Sequence, residues 1–415
     1  KCPNKRDLWI LKIGIPDLPV RDLWISVRVY FRDYRQETDK KMNSDFLDQK
    51  LQARFRMNAY RRLQLGGDKI DFFSNDYLGM VKNRLLEEAL ADNTFSHGST
   101  GSRLLAGNYP LIEETESLIA VFHQSPAALI FNSGYDANLG LLACVADRGD
   151  TILYDKLSHA SIRDGIRLSK AGAFSFAHNE PEDLEKKLKK KAGRCFVVTE
   201  SVFSMDGDQA PLEEIVELCE RFDAHLIVDE AHATGVIGAQ GEGLMQSRGL
   251  HHRCFARIHT FGKALGCHGA AVLGSEILRN YLINFSRPFI YTTALPPVAV
   301  AAIRASYGIF PALQEERMHL KRLISFFLKN HTVHAASGTS FSFKNSETPV
   351  QCLIVPGNEQ VKALSGHLDG LNMDVRPILY PTVPEGAERL RIALHSFNTM
   401  EEVQLLFSAL GDKKI

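Results

Sequence analysis

The chain has 415 residues, of which 45% are hydrophobic and 24% are charged. Its 49 lysines and arginines equal its 49 aspartates and glutamates, so the formal net charge is zero. This composition excludes a disordered or low-complexity chain, and the balanced charge gives no global field for nucleic acid or an anionic membrane. We therefore predict a globular protein of two or three domains that binds neither nucleic acid nor membranes.

The cysteines and the apolar segments bear on the compartment. Seven cysteines stand far apart, with no CxxC pair. No apolar run approaches the ~20 residues of a membrane helix, and Lys12, Pro16 and Asp17 interrupt the N-terminal stretch. We therefore predict a reducing, cytoplasmic location and no secretion.

The first 41 residues differ in composition from the rest of the chain. They contain both tryptophans, Trp9 and Trp24, and ten basic against six acidic residues, a net charge of +4 (10 − 6). Met42 follows directly. We interpret residues 1–41 as an N-terminal extension that is not native, with Met42 as the native start. The alternative is a genuine N-terminal arm.

From Met42 onwards, segments typical of strands and of helices alternate. The predicted strands lie at 70–74, 127–131, 151–154, near 174, at 195–199 and at 225–228. The predicted helices lie at 111–123, after 134 to 145, and at 161–170, 181–191 and 212–222. This alternation indicates βαβ units and a mostly parallel sheet. We predict an α/β protein with an N-terminal segment at 42–85, a large domain at 86–310 and a smaller C-terminal α+β domain at 311–415.

The first candidate site follows an apolar stretch at 226–228. Asp229 ends this stretch, and His232 comes three residues later. In open α/β sheets, ligands bind beyond the carboxyl ends of the strands. An aspartate there can pair with a cationic ring nitrogen, or it can ligate a metal together with the histidine. The alternative role is to cap the next helix.

A second candidate is Lys263, which follows Thr260 after another short apolar piece, among glycines. A lysine in a pocket of small residues can lose its proton and form a Schiff base. It lies 34 residues after Asp229 (263 − 229), about the length of one further βα step. The same sheet edge can therefore present both side chains. The alternative is a lysine on a surface turn.

Two strand-to-helix junctions complete the set. Gly134 and Tyr135 open a helix, whose N-terminal N–H groups can bind a phosphate, and Tyr135 can support an aromatic ring. His159 stands at another such junction, where its alternative role is that of a loop histidine. A phosphate-binding helix start, an aspartate for a ring nitrogen, a histidine for a ring face and a glycine-flanked lysine together indicate a pyridoxal phosphate site.

From about Met42 to its C-terminus, the chain resembles the α-oxoamine synthases, which are pyridoxal phosphate enzymes of the aspartate aminotransferase-like fold (fold type I). The motifs that carry this resemblance lie at 74–79, 131–138, 158–161, 203–208, 229–235, 260–263 and 381–386. The resemblance implies a large domain with a mostly parallel sheet and a smaller α+β C-terminal domain.

The resemblance also implies roles for individual residues. Lys263 would hold the cofactor covalently and then act as the base at the substrate α-carbon, Asp229 would keep the ring nitrogen protonated, and His159 would stack on the ring. The implied cofactor-binding residues are Gly134, Tyr135, His159, Ser204, Asp229, His232, Thr260, Lys263, Thr292 and Thr293. Thr292 and Thr293 would reach the phosphate of the other subunit, which implies a homodimer with its sites at the interface.

The amino acid would be bound chiefly by Arg391, because a planar guanidinium suits bidentate binding of a carboxylate. The alternative is a surface arginine on a strand. The implied substrate-binding residues are Arg61, Asn75, His159, Thr382 and Arg391. Neither the resemblance nor the composition predicts a metal site.

The family condenses an amino acid with an acyl thioester and releases CO2. Segments 176–179 and 229–235 are most similar to its biotin-pathway branch, which uses L-alanine and a pimeloyl thioester of coenzyme A or a carrier protein. Glycine C-acetyltransferase and serine palmitoyltransferase are the alternatives within the family. The chain departs from the pattern of this branch at two places. Leu379 stands where an arginine is usual, so Arg376 is the nearest upstream arginine, and the histidine that usually follows later after Arg391 is absent.

Two alternative functions lie outside this catalytic family. A metal-dependent hydrolase could use Asp229 and His232, but it would leave Lys263 unexplained, and the chain has no HExxH motif. A non-catalytic partner subunit would be expected to lack the lysine. We therefore expect a pyridoxal phosphate-dependent acyltransferase.

Overall fold

A computed structural model describes residues 44–65, 67–91, 94–335 and 341–411, apart from the side chains of residues 332–335. The predicted extension at 1–41 and Met42 lie outside these residues. The chain divides into two units, the first ending at Gln64 and the second beginning at Leu65. In the first unit, α1 is a helix over Asp45–Arg56, and none of its residues is buried.

The second unit contains the strands and the remaining helices. The strands are β1 (Ile70–Asp71), β2 (Ala127–Phe131), β3 (Thr151–Asp155), β4 (Gly172–Phe176), β5 (Cys195–Glu200), β6 (Ala224–Asp229), β7 (Ala256–Thr260), β8 (Ala270–Gly274), β9 (Ser342–Lys344), β10 (Val350–Ile354), β11 (Met373–Asp374), β12 (Arg376–Ile378) and β13 (Arg389–Ala393). The helices are α2 (Leu85–Leu90), α3 (Pro110–Phe122), α4 (Gly134–Val145), α5 (Ala160–Leu168), α6 (Pro181–Leu188), α7 (Leu212–Arg221), α8 (Leu244–Ser247), α9 (Glu276–Phe285), α10 (Arg287–Ile290), α11 (Pro297–Ile309), α12 (Gln314–Ala335), α13 (Asn358–Gly370) and α14 (Met400–Gly411). Short 3₁₀ helices lie at His251–Arg253 and Phe310–Ala312.

A seven-stranded sheet, in the order β2-β8-β7-β6-β5-β3-β4, forms the centre of this unit. The neighbours from β7 to β4 are all parallel, and β8 is antiparallel to both β7 and β2. Strand β8 has no counterpart among the predicted strands. It returns from β7 over residues 261–269, and so short a connection suits antiparallel strands because a parallel crossover needs a dozen or more residues.

Both faces of the inner strands of this sheet are buried. On β5, Phe196 and Val198 pack into a cluster with residues of α4 and α5, whereas Val197 packs with residues of α6 and α7. On β6, Ile227 belongs to the first cluster and Leu226 to the second. Successive side chains of a strand point to opposite faces, so a continuous apolar run is what a sheet covered by helices on both sides requires.

The C-terminal part carries an antiparallel sheet of its own, in the order β12-β13-β10-β9. Helices α12, α13 and α14 accompany this sheet in the chain, in agreement with the predicted α+β character. The boundary predicted between 310 and 311 stays a prediction, because residues from Leu65 onwards form one compact unit. Within the described ranges, no helix is long and apolar enough to cross a bilayer.

The central strands predict a specific pattern of stability. Ile227 is completely buried in β6, so Ile227→Ala should lower the free energy of unfolding by about 2–5 kcal/mol. Urea denaturation followed by circular dichroism measures this change. The matched control is Ile277→Ala on α9, where the isoleucine is 82% exposed and the expected change stays within about 0.5 kcal/mol. Equal effects of the two substitutions would contradict the assigned core.

Candidate active site

The carboxyl ends of the parallel strands bring acidic residues to one edge of the central sheet. Asp229 ends β6, and Glu200 ends the neighbouring β5 at the same level of the ladder. The Asp229 carboxylate accepts hydrogen bonds from the Ala231 N–H at 2.8 Å and from Asn138 Nδ2 at 2.7 Å. Asn138 lies on α4, so the helix that follows β2 orients this carboxylate. The geometry leaves Asp229 at the strand end rather than at a helix N-cap.

Lys263 lies three residues beyond the end of β7, and its Nζ is 2.7 Å from Nε2 of His232. Burial lowers the pKa of Lys263 to about 8, although the negative charges of Asp229 and Glu200 oppose this shift. Burial and the nearby positive charges of Lys263 and Arg391 lower the pKa of His232 well below its usual range. The site therefore contains a buried amine that is far easier to deprotonate than a surface lysine, next to a neutral imidazole.

A chain of hydrogen bonds links this amine to an arginine. His232 Nδ1 is 2.8 Å from the buried Tyr77 hydroxyl, which donates to Asn75 Oδ1 at 3.0 Å. Arg391 Nη2 donates to both Asn75 Oδ1, at 2.9 Å, and Tyr77 Oη, at 3.1 Å. Lys263, His232 and Arg391 therefore share one buried network, and Tyr77 is the residue that joins its two halves.

Arg391 comes from the C-terminal sheet, in the middle of β13. Its side chain is buried, and its Nε donates to the backbone carbonyl of Ser204 at 2.7 Å. The bonds to Ser204, Asn75 and Tyr77 use Nε and Nη2, and Nη1 is the nitrogen that they do not use. This arrangement favours binding of a carboxylate over the alternative of a surface arginine.

His159 is the N-cap residue of α5, and its Nδ1 is 2.8 Å from Ser161 Oγ. Its backbone N–H donates to Glu200 Oε1 at 2.6 Å. Burial lowers the pKa of His159. The negative charge of Asp229 opposes this shift and the positive charge of Lys263 adds to it, so the imidazole ring lies close enough to interact electrostatically with both side chains. Burial, followed by repulsion from Asp229, raises the pKa of Glu200 to about 8. Glu200 therefore holds a proton over much of the neutral range.

The N-terminus of α4 lies beside Thr260, the last residue of β7. Ser133 caps the helix by accepting from the Asp136 N–H at 3.0 Å, and the first N–H groups of a helix, here those of Gly134 and Tyr135, have no partner within the helix. A Cβ at Gly134 would lie 3.3 Å from Thr260 Oγ1, so glycine keeps the space beside this hydroxyl open. Free N–H groups beside a hydroxyl are donors of the kind that can hold a phosphate. The Tyr135 hydroxyl itself contacts the Asp164 carboxylate.

Thr292 and Thr293 lie beside the same helix N-terminus. Asn132 Nδ2 donates to Thr292 Oγ1 and to the Thr293 carbonyl, both at 2.9 Å. Asn132 directly precedes the capping Ser133 in the chain. The predicted reach of the two threonines to the phosphate of another subunit stays a prediction, since these contacts are made within one chain.

Arg61, Thr382 and Arg376 are the remaining candidates for binding the substrates. Arg61 belongs to the first unit of the chain and is exposed. Thr382 is exposed in the turn after β12. Arg376 is paired with Asp374 at 2.5 Å and lies 5.0 Å from the centre of the Phe73 ring, so a substrate carboxylate would compete with an existing partner. The roles of Arg61 and Thr382 stay predictions.

Three site residues were missed by sequence reasoning: Tyr77, Asn138 and Glu200. Tyr77 and Asn138 lie inside quoted motifs, where nothing distinguishes an inward side chain from its neighbours. Glu200 carried a usable signal, because an acidic residue after an apolar strand is also what identified Asp229. Over the residues that the structure describes, no group of three or more His, Cys, Asp or Glu side chains can hold a metal ion.

Comparison with known proteins identifies the family. Residues 67–410 match the family model of aminotransferase class I and II. A protein named putative 8-amino-7-oxononanoate synthase, from Geobacillus kaustophilus, is 42% identical over 84% of this chain and 90% of its own length. The 8-amino-7-oxononanoate synthase of Emericella nidulans is 40% identical, again over 84% of this chain and 90% of its own.

Solved structures agree in fold. The 8-amino-7-oxononanoate synthase of Francisella tularensis has a TM-score of 0.70 and 29% identity, with 83% of this chain and 97% of that one covered. The serine palmitoyltransferase of Sphingomonas wittichii has a TM-score of 0.75 and 29% identity, with 83% and 86% covered. The resemblance predicted from the motifs is thereby confirmed: the chain belongs to the aminotransferase class I and II family, and its relatives include curated 8-amino-7-oxononanoate synthases.

Proposed function

We propose that this chain is a pyridoxal phosphate-dependent acyltransferase that condenses L-alanine with a pimeloyl thioester, releasing CO2 and forming 8-amino-7-oxononanoate for biotin biosynthesis. The observation that carries the proposal is the network in which Lys263, His232, Tyr77 and Arg391 follow one another at 2.7–3.1 Å. It sets an amine for a cofactor next to a guanidinium for a carboxylate. The relatives named 8-amino-7-oxononanoate synthase, at 40–42% identity, support the substrates.

The donor set fits pyridoxal phosphate. The N-terminus of α4 with Thr260 suits the phosphate, because backbone N–H groups and a hydroxyl suit an anion and Gly134 leaves room for it. Asp229 offers a buried carboxylate for a protonated ring nitrogen, and Lys263 offers a buried amine for the carbonyl. His159, His232 and Ser204 are the proposed partners of the ring face and ring edge. When bound, the cofactor supplies an electron sink for the carbanion formed at the substrate α-carbon.

Lys263 has two tasks in this proposal, to anchor the cofactor and to take the α-proton of the amino acid. Its lowered pKa, about 8, gives the amine a substantial neutral fraction at slightly alkaline pH, and only the neutral amine accepts a proton. His232 holds Nζ in place through its Nε2. Because the Tyr77 hydroxyl donates to Asn75, His232 Nδ1 donates to Tyr77 and Nε2 of the neutral imidazole is an acceptor, to which both the protonated and the neutral amine can donate a hydrogen bond. The imidazole thereby supports both protonation states of the base.

Arg391 binds the carboxylate of the amino acid, and Asn75 and Tyr77 orient the guanidinium through Nη2. Tyr77 and His232 connect the Arg391 guanidinium to the Lys263 amine. A substrate carboxylate bound to Arg391 is therefore held at a fixed distance from that amine. Positioning of this kind contributes much of the rate enhancement in condensations, because the reacting groups are held in a productive orientation.

The far carboxylate of the pimeloyl group needs a cationic partner to offset its desolvation. Arg61 and Arg376 are the candidates, with Thr382 as a further substrate contact. The second candidate function is that of a serine palmitoyltransferase, which is favoured by the TM-score of 0.75 to such an enzyme.

The protein is further proposed to act as a homodimer with its sites at the interface. An exposed apolar patch, consisting of Leu104, Leu105 and Tyr291, supports this. The Ala294 N–H donates to the Gly101 carbonyl at 3.0 Å, which ties the two segments of the patch together next to Thr292 and Thr293.

A cytoplasmic location stays a prediction, supported by free cysteines such as Cys195 and Cys352. Fractionation of the native cells tests it.

Substitution of the proposed anchor tests the chemistry. Lys263→Ala should keep the fold but lose the covalent cofactor, and kcat should fall by about 10³-fold or more because the base is also removed. Borohydride reduction followed by peptide mass spectrometry locates the attached cofactor. Lys190→Ala, which changes an exposed lysine, is the control and should retain it. Condensation by Lys263→Ala at more than a trace rate would refute the assignment.

The choice of substrates distinguishes the two candidate functions. We expect kcat/KM for L-alanine with a pimeloyl thioester to exceed that for L-serine with a palmitoyl thioester by at least about tenfold, the scale on which pockets distinguish small groups. The assay compares all four combinations of amino acid and thioester. Arg61→Ala should raise the KM for the pimeloyl thioester alone. If serine with palmitoyl is the fastest pair, the biotin-pathway proposal fails while the cofactor chemistry stands.

The dimer proposal makes its own prediction. Replacing two residues of the patch, as in Leu105→Asp/Tyr291→Asp, should shift the protein from dimer to monomer in analytical ultracentrifugation, since each substitution buries a charge at the interface. Affinity for the cofactor should fall together with the dimer. The control is Leu371→Asp, which changes a half-exposed leucine of the C-terminal part. A monomeric unaltered protein with full activity would end this proposal.

A further inference from the structure

The turn at 203–208 contains Ser204, a proposed partner of the cofactor ring, and it also contacts Arg391, the proposed carboxylate-binding residue. It is closed by two backbone hydrogen bonds, from the Phe203 N–H to the Asp208 carbonyl at 3.0 Å and from the Gly207 N–H to the Phe203 carbonyl at 2.9 Å. Within it, the Ser204 carbonyl accepts from Arg391 Nε. The position of this turn therefore determines where one edge of the Arg391 guanidinium lies.

Two ionic contacts, one buried and one with a half-exposed lysine, join the turn to the C-terminal sheet. The Asp206 carboxylate forms an ion pair with Arg389 on β13, and Lys344 on β9 lies 3.0 Å from it. Arg389 precedes Arg391 by two residues, so both side chains leave β13 on the same face. Arg389 thus reaches the turn at Asp206 while Arg391 reaches it at Ser204, and together they fix the register of the strand against the turn.

Close packing reinforces this contact. Gly207 has a φ of +74°, and a Cβ there would lie 2.0 Å from the Val350 carbonyl oxygen on β10. The Gly207 carbonyl accepts from the hydroxyls of Ser346 and Thr348, each at 2.9 Å. A side chain at 207 would separate the turn from the sheet. Glycine is therefore required here both by the backbone conformation and by the close approach.

On its other side, the turn is held to the central sheet. Asp208 Oδ2 is 2.6 Å from His178 Nε2 and accepts from Asn179 Nδ2 at 2.7 Å. His178 Nδ1 is 2.9 Å from Oδ1 of Asp155, the last residue of β3. Although burial disfavours a charged imidazole, hydrogen bonds to the two carboxylates raise the pKa of His178 to about 9. An imidazolium between two carboxylates thus ties the turn to the strand ends that carry the proposed cofactor site.

We propose that Asp206 and Asp208 are positioning residues for amino-acid binding, because the turn that they brace sets the Arg391 guanidinium against the site of Lys263. Asp206 holds the turn to the strand that carries Arg391, and Asp208 holds it to the central sheet. The inference rests on the proposed role of Arg391 in binding the substrate carboxylate. It concerns neither the cofactor phosphate nor the thioester.

Loosening either contact should displace the guanidinium and weaken the amino acid selectively. We expect Asp206→Asn and Asp208→Asn in the holoenzyme each to raise the KM for L-alanine by about tenfold or more. The kcat at saturating L-alanine and the KM for the thioester should stay within twofold of the unaltered protein. The Kd of L-alanine, measured by calorimetry without thioester, should rise by the same factor as the KM. This Kd is a readout independent of turnover.

The two contacts differ in exposure, which guards against a failure to fold. The pair of Asp206 is buried, whereas the His178 and Asp208 side chains are 22% and 29% exposed, so Asp208→Asn and His178→Gln provide milder variants. A double variant, Asp206→Asn/Arg389→Gln, should raise the KM no further than Asp206→Asn alone, because Asp206→Asn already removes the contact with Arg389. If the increases in KM caused by the two single substitutions multiply in the double variant, loss of the Asp206–Arg389 ion pair is not the cause of the increase.

The matched control is Asp150→Asn. Asp150 is another buried aspartate paired with an arginine, Arg194, at 2.7 Å, but it precedes β3 at the opposite edge of the sheet. It should lower the melting temperature without changing the KM for L-alanine. If Asp206→Asn and Asp208→Asn behave like this control, with lost stability and an unchanged KM, the positioning role is refuted.

Failure of the proposed function has a different signature. If the unaltered protein does not turn over L-alanine but accepts another amino acid, the substrate proposal fails. The ratio of the KM of each aspartate variant to the KM of the unaltered protein is then measured with that other amino acid. The positioning role then stands or falls on that ratio alone. If Arg391→Lys leaves the Kd of the amino acid unchanged while the aspartate variants raise it, the turn acts on another group and the inference is wrong.

Discussion

The site depends on the burial of one amine, that of Lys263, among groups of both charges. An ammonium removed from water is costly unless carboxylates offset the loss of hydration. Asp229 and Glu200 supply that negative charge from adjacent strands, while the positive charge of Arg391 acts against it. Burial lowers the pKa of Lys263 to about 8, and burial together with repulsion from Asp229 raises the pKa of Glu200 to about 8.

The parallel sheet makes this balance structurally simple to maintain. Strands that run in the same direction end at the same edge, so residues distant in sequence meet there without any loop having to fold inwards. The Asp229 carboxylate is held by Asn138 from the preceding layer of helices, and the Glu200 carboxylate by the backbone of His159. Each charge is therefore fixed by a neighbouring strand or helix start, which keeps the site rigid before any ligand binds.

The guanidinium of Arg391 is supplied differently, from a separate antiparallel sheet. Its position relative to Lys263 depends on contacts between the two sheets, chiefly Tyr77, Asn75 and the turn at 203–208. These contacts use buried charges and a glycine that admits no side chain. In the proposed function, this arrangement brings the substrate carboxylate to the cofactor only while the two sheets hold their register, so the proposal links amino-acid binding to the interface between the sheets.

The sequence by itself determined the elements and the family. Strand 127–131 was predicted with its observed bounds, and β3, β5 and β6 to within one residue at each end, because a buried strand is a local apolar run bounded by polar residues. Lys263, Asp229, His232 and His159 were found because each stands at a recognisable junction. Strand β8 was missed, because a short antiparallel return leaves no helix to mark it. Only the tertiary structure decided which side chains meet: Arg391 contacts Asn75 across 316 residues of chain, and Tyr77 contacts His232 across 155. Such contacts depend on how sheets pack and on which side chains face inwards, and the local pattern of a single sequence carries no record of either.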